Sequence, residues 1–436
     1  MSSAAGRHER STERIVITGV GAVCAAGMTA DDILARVLDG DASIGPIQQW
    51  DTEHWPTRLA AEVTPFNARA LVEDRKLHKL IRRTDFFGLY AAAQAIEGSG
   101  LSSHREALSE EAKASFSDRS GVYVGSGGGN YQTQYDYLPL MSEAQGDLKT
   151  FGRELGNVVN PMWLLRTLPN NVLCHVGIRH ALKGSNACIT NHSVGGMLAV
   201  IEAAEALRNG EADRALAVGH DAPIEPQMVL YYHRLGLVSD DALRPFDAAH
   251  NGSVFGEGSG ALMLETESSA RARAAPILGE ILGGGYAAEA LGLLAIRDDG
   301  DGLKRAIHEA LEDAGLPREE VGMIVAHGNG TPQSDASEAA AIRSVFGSDG
   351  PPVTAFKWAF GHLIAAAGIL ETVTALSALH RGVVPGIANL AQPAHDCSGL
   401  RIAREPQQPR SDVALVLCRG FGGTNAALLV RALANA

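Results

Sequence analysis

The run from Lys183 to Gly196 holds two groups able to act as nucleophiles, Cys188 and Ser193, close to where a helix begins. It reads as a short apolar strand, a turn, and a helix from Val194 to about Asn209. Backbone N–H groups at a helix N-terminus favour negative charge, and Gly195 and Gly196 let a substrate approach the main chain closely. By chemistry the nucleophile is Cys188 and by position it is Ser193; the residues alone leave both open. Two histidines stand at comparable places. His327 ends the apolar run Val321–Ala326 and precedes Gly328, Asn329 and Gly330. His362 lies at a strand-to-helix junction, where the helix terminus disfavours an imidazolium and keeps the ring neutral. Lys357 stands five residues before it, and Asp335 and Glu338 open the helix after His327. Gly420, Phe421, Gly422 and Gly423 offer a mobile aromatic gate with exposed backbone N–H groups, suited to an oxyanion hole. No carboxylate or cysteine joins the histidines at metal-ligand spacing, so no metal is expected.

The elements that must position these residues repeat. Ile15–Thr18 is a buried strand feeding a turn at Gly19 and Gly21, Thr29 caps a helix to about Leu38, and a helix is expected over Asp85–Ile96. Arg119–Gly125 and Arg214–Gly219 are further strands. Ser126–Arg166 reads as a lid or a dimer-facing insertion. Near residue 260 the pattern restarts: strands over Gly260–Glu265, Ile277–Leu282, Val321–His327, Val353–Phe356, Val413–Leu417 and Thr424–Leu429, with helices over Asp301–Ala314 and from His362 to about His380. The unit Ile189–Gly210 parallels Phe356–Gly382. The expected fold class is therefore α/β with two duplicated βαβ-type halves about a pseudo-two-fold axis, which places Ser193 and His362 at equivalent turns. The halves are set at 15–265 and 266–436, after a disordered polar leader at 1–14.

With 436 residues, 45% hydrophobic and 20% charged, the chain has the composition of a globular protein with a large core. A net charge of −13 argues against nucleic acid and anionic membrane as partners. The basic cluster Arg75–Arg83 is then a local positive patch, either a solvated helix face or a dock for an acidic protein. Five scattered cysteines, no signal peptide and no apolar run of 18 residues point to the cytoplasm.

Taken together, the motifs resemble those of the β-ketoacyl-[acyl-carrier-protein] synthases of fatty-acid and type II polyketide synthesis. They are Ile15–Gly21, Arg244–Ala249, Gly256–Gly260, Ala326–Pro332, Lys357 with His362 and Gly368, and Gly420–Asn425, and the likeness runs from Ile15 to about Val430. It implies a thiolase-like fold layered α/β/α/β/α, a dimer with itself or with a second ketosynthase, and no cofactor beyond the phosphopantetheine of an acyl carrier protein. It further implies that His327 and His362 bind the malonyl thioester carbonyl and promote decarboxylation, and that Lys357 orients them with Glu338. Phe421 would gate the pocket beside Gly422 and Gly423, its N–H joining that of residue 193 in an oxyanion hole. Arg82 and Arg83 would meet the carrier protein.

In that family the nucleophile is a cysteine ten residues after the position of Lys183, three before Gly196 and seventeen before Gly210. All three anchors fall on Ser193 without a gap. A helix terminus can stabilise a thiolate, but a hydroxyl needs an adjacent base. The two family histidines serve the malonyl side, and His192 is expected to point away from Ser193 if the segment is extended. Acyl loading is therefore expected to be impaired. The reading is a carrier-protein acyltransferase of decarboxylative chemistry. Its alternatives are a malonyl-carrier-protein decarboxylase and a chain-length-factor-like partner of a cysteine-bearing ketosynthase.

Overall fold

A computed structural model describes residues 13–128 and 137–433. The strands in chain order are β1 (Ile15–Cys24), β2 (Gly45–Pro46), β3 (Leu59–Ala61), β4 (Ser120–Ser126), β5 (Asn186–Ile189), β6 (Arg214–Asp221) and β7 (Phe255–Gly256). They continue with β8 (Gly258–Thr266), β9 (Gly279–Ala288), β10 (Met323–Val325), β11 (Val353–Thr354), β12 (Val413–Gly420) and β13 (Thr424–Ala432). Ten of them form one sheet in the order β11-β10-β12-β13-β9-β1-β8-β6-β4-β5. The order reads the same from either end. In each half an edge strand pairs in parallel with its neighbour and that with the next, after which the ladder turns antiparallel (β5, β4, β6, β8 against β11, β10, β12, β13). The halves join where Ile15–Ile17 pairs antiparallel with Gly279–Ile281.

Five helices position the site: α1 (Arg83–Gly98), α2 (Gly195–Arg208), α3 (Asp301–Ala314), α4 (Pro332–Phe346) and α5 (Ala367–His380). Helices α2 and α5 are buried on nearly all sides because each packs on strands and on the other. A helix apolar all round is stable only in such a central layer. Helix α1 covers β1, β8 and β6, and α3 covers β9 and β13. The faces are opposite: Cβ atoms added at Gly283 and Gly285 would meet α3, and one at Gly284 would meet Ile201 of α2. This is the α/β/α/β/α layering and the duplication expected.

Three expectations change. Gly19 and Gly21 are not a turn; β1 runs through them, and their bare faces let the main chain of α1 come against the strand at Ala95 and Ala91. The positional partner of Ser193 is Ala365, because the 3₁₀ turn His192–Val194 before α2 corresponds to Ile364–Ala366 before α5. His362 lies just ahead of that turn, held on β7 by hydrogen bonds from its N–H to Val254 O (2.7 Å) and from Gly256 N–H to its carbonyl (3.0 Å). The leader expected at 1–14 lies outside the described residues up to position 12, and Arg14 is tied to Glu280 (2.8 Å) and Glu267 (3.3 Å). No described helix is long and apolar enough to cross a membrane.

Candidate active site

Ser193 is buried at the head of α2, in the one-turn 3₁₀ segment that follows edge strand β5. The segment is not extended. His192 takes a left-handed backbone conformation (φ 47°), as its duplicate Ile364 does (φ 44°). This conformation is uncommon for residues with a Cβ and costs of order 1–3 kcal/mol. It turns the His192 ring back onto its neighbour, so Nδ1 lies 2.9 Å from Ser193 Oγ. The expectation that the two side chains point apart is thereby corrected. On the other side His362 Nε2 is 3.4 Å from the same oxygen.

The protons on these rings follow from the backbone. Ile364 N–H donates to His362 Nδ1 (3.3 Å), which leaves the His362 proton on Nε2. His362 therefore donates to Ser193 Oγ, and the hydroxyl hydrogen is directed to His192 Nδ1. His192 Nε2 then carries its own proton and donates to Tyr232 Oη at 2.6 Å. Burial holds His192 down to about 4, and burial followed by the charge of Lys357 holds His327 and His362 well below the usual imidazole range. All three rings are neutral at pH 7.

His327 and His362 meet edge to face with centroids 5.1 Å apart. The main chain of His327 is clamped from both sides: its N–H donates to Glu338 (2.7 Å), and its carbonyl accepts from Lys357 Nζ (2.6 Å). Its Nδ1 accepts from Arg419 N–H (3.3 Å), so its Nε2–H is free to donate. Lys357 is fully buried, and its second partner is Glu371 of α5 at 2.6 Å. Glu338 acts on His327 from the side opposite Lys357, holding the N–H groups of His327 and Gly328. Burial raises the Glu371 carboxyl to about 7 against the opposing pull of Lys357.

Phe421 stacks on His192 (4.5 Å, 15° between planes) and on Tyr232 (5.3 Å, 23°). Gly422 and Gly423 both have positive φ, which lets the chain turn back under the ring. Gly420 is bare for a second reason. A Cβ there would sit 2.9 Å from Thr424 Oγ1, 3.3 Å from Ser193 N and 3.4 Å from His192 Nδ1, so glycine leaves the N–H of Ser193 approachable. Ser193, His192, Tyr232, His327, His362 and Phe421 line one cavity of about 380 Å³.

A family model described as the β-ketoacyl synthase N-terminal domain matches residues 12–270, and one described as the C-terminal domain matches 278–391. The chain belongs to the β-ketoacyl synthase family. It is similar to 3-oxoacyl-[acyl-carrier-protein] synthase 2 of Synechocystis (33% identical, 95% of this chain and 97% of that one). The protein of the same name from Coxiella burnetii is 31% identical over 96% and 98% of the two chains. Among solved structures, an ishigamide ketosynthase/chain length factor superposes with TM-score 0.85 at 28% identity, over 97% and 99% of the chains. A type II polyketide synthase acyl-carrier protein in complex with its ketosynthase superposes with TM-score 0.81 at 25% identity, over 97% and 99%.

Within this ketosynthase scaffold the other candidates fall elsewhere. Cys188 lies on edge strand β5 with its thiol toward Pro169 O (3.5 Å), and it does not line the cavity. Cys418 is buried behind the site, its thiol pushed up to about 12 and donating to Ser193 O. Arg82 and Arg83 are corrected as docking residues, because both are used internally. Arg82 is buried at the cap of α1 with Nε 3.6 Å from Asp85, and Arg83 pairs with Glu257 and lies over Phe66. The exposed cations of that run are Arg75, Lys76 and Lys79. Arg419 pairs internally with Glu289 (3.0 Å) and Asn425 and is part of the cavity lining, and Trp358 is a core residue. Among the described residues no group of three or more His, Cys, Asp or Glu could hold a metal.

Sequence reasoning missed Glu371, Tyr232 and the role of His192. Glu371 had a signal: it is the one acidic residue in the buried, largely apolar helix α5. Tyr232 had none.

Proposed function

We propose that the chain is a β-ketoacyl-[acyl-carrier-protein] synthase that carries its acyl group on Ser193. The supporting observation is that one cavity holds a buried hydroxyl between two imidazoles and, beside it, a third imidazole clamped through its main chain. An acyl thioester on the phosphopantetheine of a carrier protein is the donor, and a malonyl thioester is the extender. Loss of carbon dioxide from the malonyl group leaves an enolate whose oxygen accepts from His327 Nε2–H and from His362 Nε2–H, which turns to it once Ser193 is acylated. The enolate carbon then attacks the acyl carbon on Ser193, and the N–H groups of Ser193 and Phe421 receive the oxyanion; its collapse breaks the carbon–oxygen bond to Oγ, which regains a proton from water as the β-ketoacyl thioester leaves. The decarboxylase and partner readings need no base beside Ser193, and His192 at 2.9 Å weighs against both.

Further parts of the reading follow from the surface. The carrier protein docks on Arg75, Lys76 and Lys79, the chain works in the reducing cytoplasm with its five cysteines free, and it pairs with itself or with a second ketosynthase. The test mixes the protein with malonyl- and acyl-carrier protein and follows both carriers by mass spectrometry. A β-ketoacyl-carrier product that is lost in His327→Ala is expected. Acetyl-carrier protein as the sole product would favour the decarboxylase, and activity only after adding a cysteine-bearing ketosynthase would favour the partner role.

A further inference from the structure

We propose that His192 is the general base that activates Ser193, and that Tyr232 is a positioning residue that holds the His192 ring with Nδ1 toward the hydroxyl. This rests on the reading of Ser193 as acyl carrier and supplies the base that a hydroxyl requires. The hydrogen bonds run in one direction. Ile364 N–H fixes the His362 tautomer, His362 donates to Ser193 Oγ, the hydroxyl donates to His192 Nδ1 (2.9 Å), and His192 Nε2–H donates to Tyr232 Oη (2.6 Å). The arrangement has the logic of a nucleophile, a base and a group that orients the base, built from adjacent residues because the left-handed turn at His192 folds one onto the other. Phe421 stacks flat on the imidazole and restricts its rotation. A neutral ring is the form that can accept a proton, and its burial keeps it so at pH 7.

The acylation step balances without a further reactant. Ser193 Oγ bonds to the thioester carbonyl carbon as its proton passes to His192 Nδ1. Collapse of the tetrahedral intermediate breaks the carbon–sulfur bond, and the proton on Nδ1 leaves with the phosphopantetheine sulfur as a thiol. The products are an oxygen ester on Ser193 and a free carrier thiol, with His192 neutral again.

The test uses the full chain and a fluorophosphonate probe, which reports serine nucleophilicity without any carrier protein. One adduct per chain, at Ser193, is expected. Glycine accepts the left-handed conformation of position 192, so His192→Gly removes the ring without straining the turn. This variant is expected to label at least 10²-fold more slowly, the lower range for a general base, and added imidazole is expected to restore part of the rate. Tyr232→Phe is expected to slow labelling about tenfold and to shift the acid limb of its pH profile, a change that loss of packing alone would not produce. His192→Gly labelling at the wild-type rate would overturn the proposal, as would a wild-type chain that does not label. His192-dependent labelling without β-ketoacyl product would keep the relay and remove the synthase reading. Product formation with His192→Gly unaffected would do the reverse.

Discussion

A hydroxyl at the head of a helix asks more of its surroundings than a thiol does, and the residues around Ser193 answer in specific ways. Gly420 has φ −145°, so alanine fits its backbone, but the added methyl would displace the Thr424 hydroxyl and crowd Ser193 N. Gly420→Ala is expected to lower kcat by about 10²-fold, the cost of one oxyanion donor, with little change in thermal unfolding; steady-state kinetics beside a melting curve checks this. The pH dependence has a definite sign. His192 works in its neutral form, which is lost only as pH falls through about 4, so probe labelling should stay flat from pH 7 to pH 5. An ordinary exposed histidine would halve the rate near 6.5. Lys357 and Glu371 are a buried pair, and Glu371→Gln leaves the ammonium without its counter-charge. A loss of about 3–5 kcal/mol in denaturant unfolding is expected. At this scale the sequence was legible where spacing decides: three anchors agreed on Ser193, and that residue lies in the cavity while Cys188 does not. It was illegible where a single dihedral decides. Nothing in the side chain of His192 announces φ 47°, and the extended segment assumed in its place sent the ring the wrong way.

The elements were easier to read than their junctions. Asp301–Ala314 and Ala30–Leu38 follow the periodicity and caps read from their residues, and Thr29 accepts from Asp32 N–H as a cap should. The duplication was visible as a repeated order of strands and helices, and it appears as a sheet whose strand order is the same from either end. What the pattern hid is why glycines sit inside strands and at helix starts. Gly196 stands where a Cβ would press on Ala365 O of the facing turn, so this contact between duplicated halves needs a bare Cα. Gly196→Ala is expected to destabilise the fold by about 1–3 kcal/mol, the usual cost of overpacking. Gly98, with open space at its Cβ position, should tolerate alanine or gain up to about 1 kcal/mol. Calorimetry of the two variants separates close approach from loss of glycine as such. Arg82 and Arg83 show the same blindness. Two adjacent arginines in a basic run resemble a docking patch, but the helix that begins there takes them into its cap and an internal ion pair.

For the whole molecule, net charge of −13 and exposed cations at Arg75, Lys76 and Lys79 give the surface a place of contrary sign. Among the described residues, edge strand β5 ends the sheet with one side unpaired. The helices of residues 138–180 expose Leu148, Met162, Leu164, Leu165 and Ile178. Exposed apolar side chains and an open sheet edge are features that a second copy, or a second ketosynthase, would cover. Sedimentation is expected to give a dimer for the chain alone or with such a partner, and Leu164→Asp with Leu165→Asp to give a monomer. The insertion read as a lid or dimer-facing segment carries Leu148, Met162, Leu164 and Leu165, and its residues 129–136 lie outside the described ones. The claim on which the rest depends is that Ser193 carries the acyl group. Mixing the full chain with an acyl-carrier protein and mapping its peptides by mass spectrometry tests it directly. The account predicts one acyl adduct, on the peptide containing Ser193 and absent from Ser193→Ala; an adduct on Cys188, or none under conditions that yield β-ketoacyl product, would contradict it.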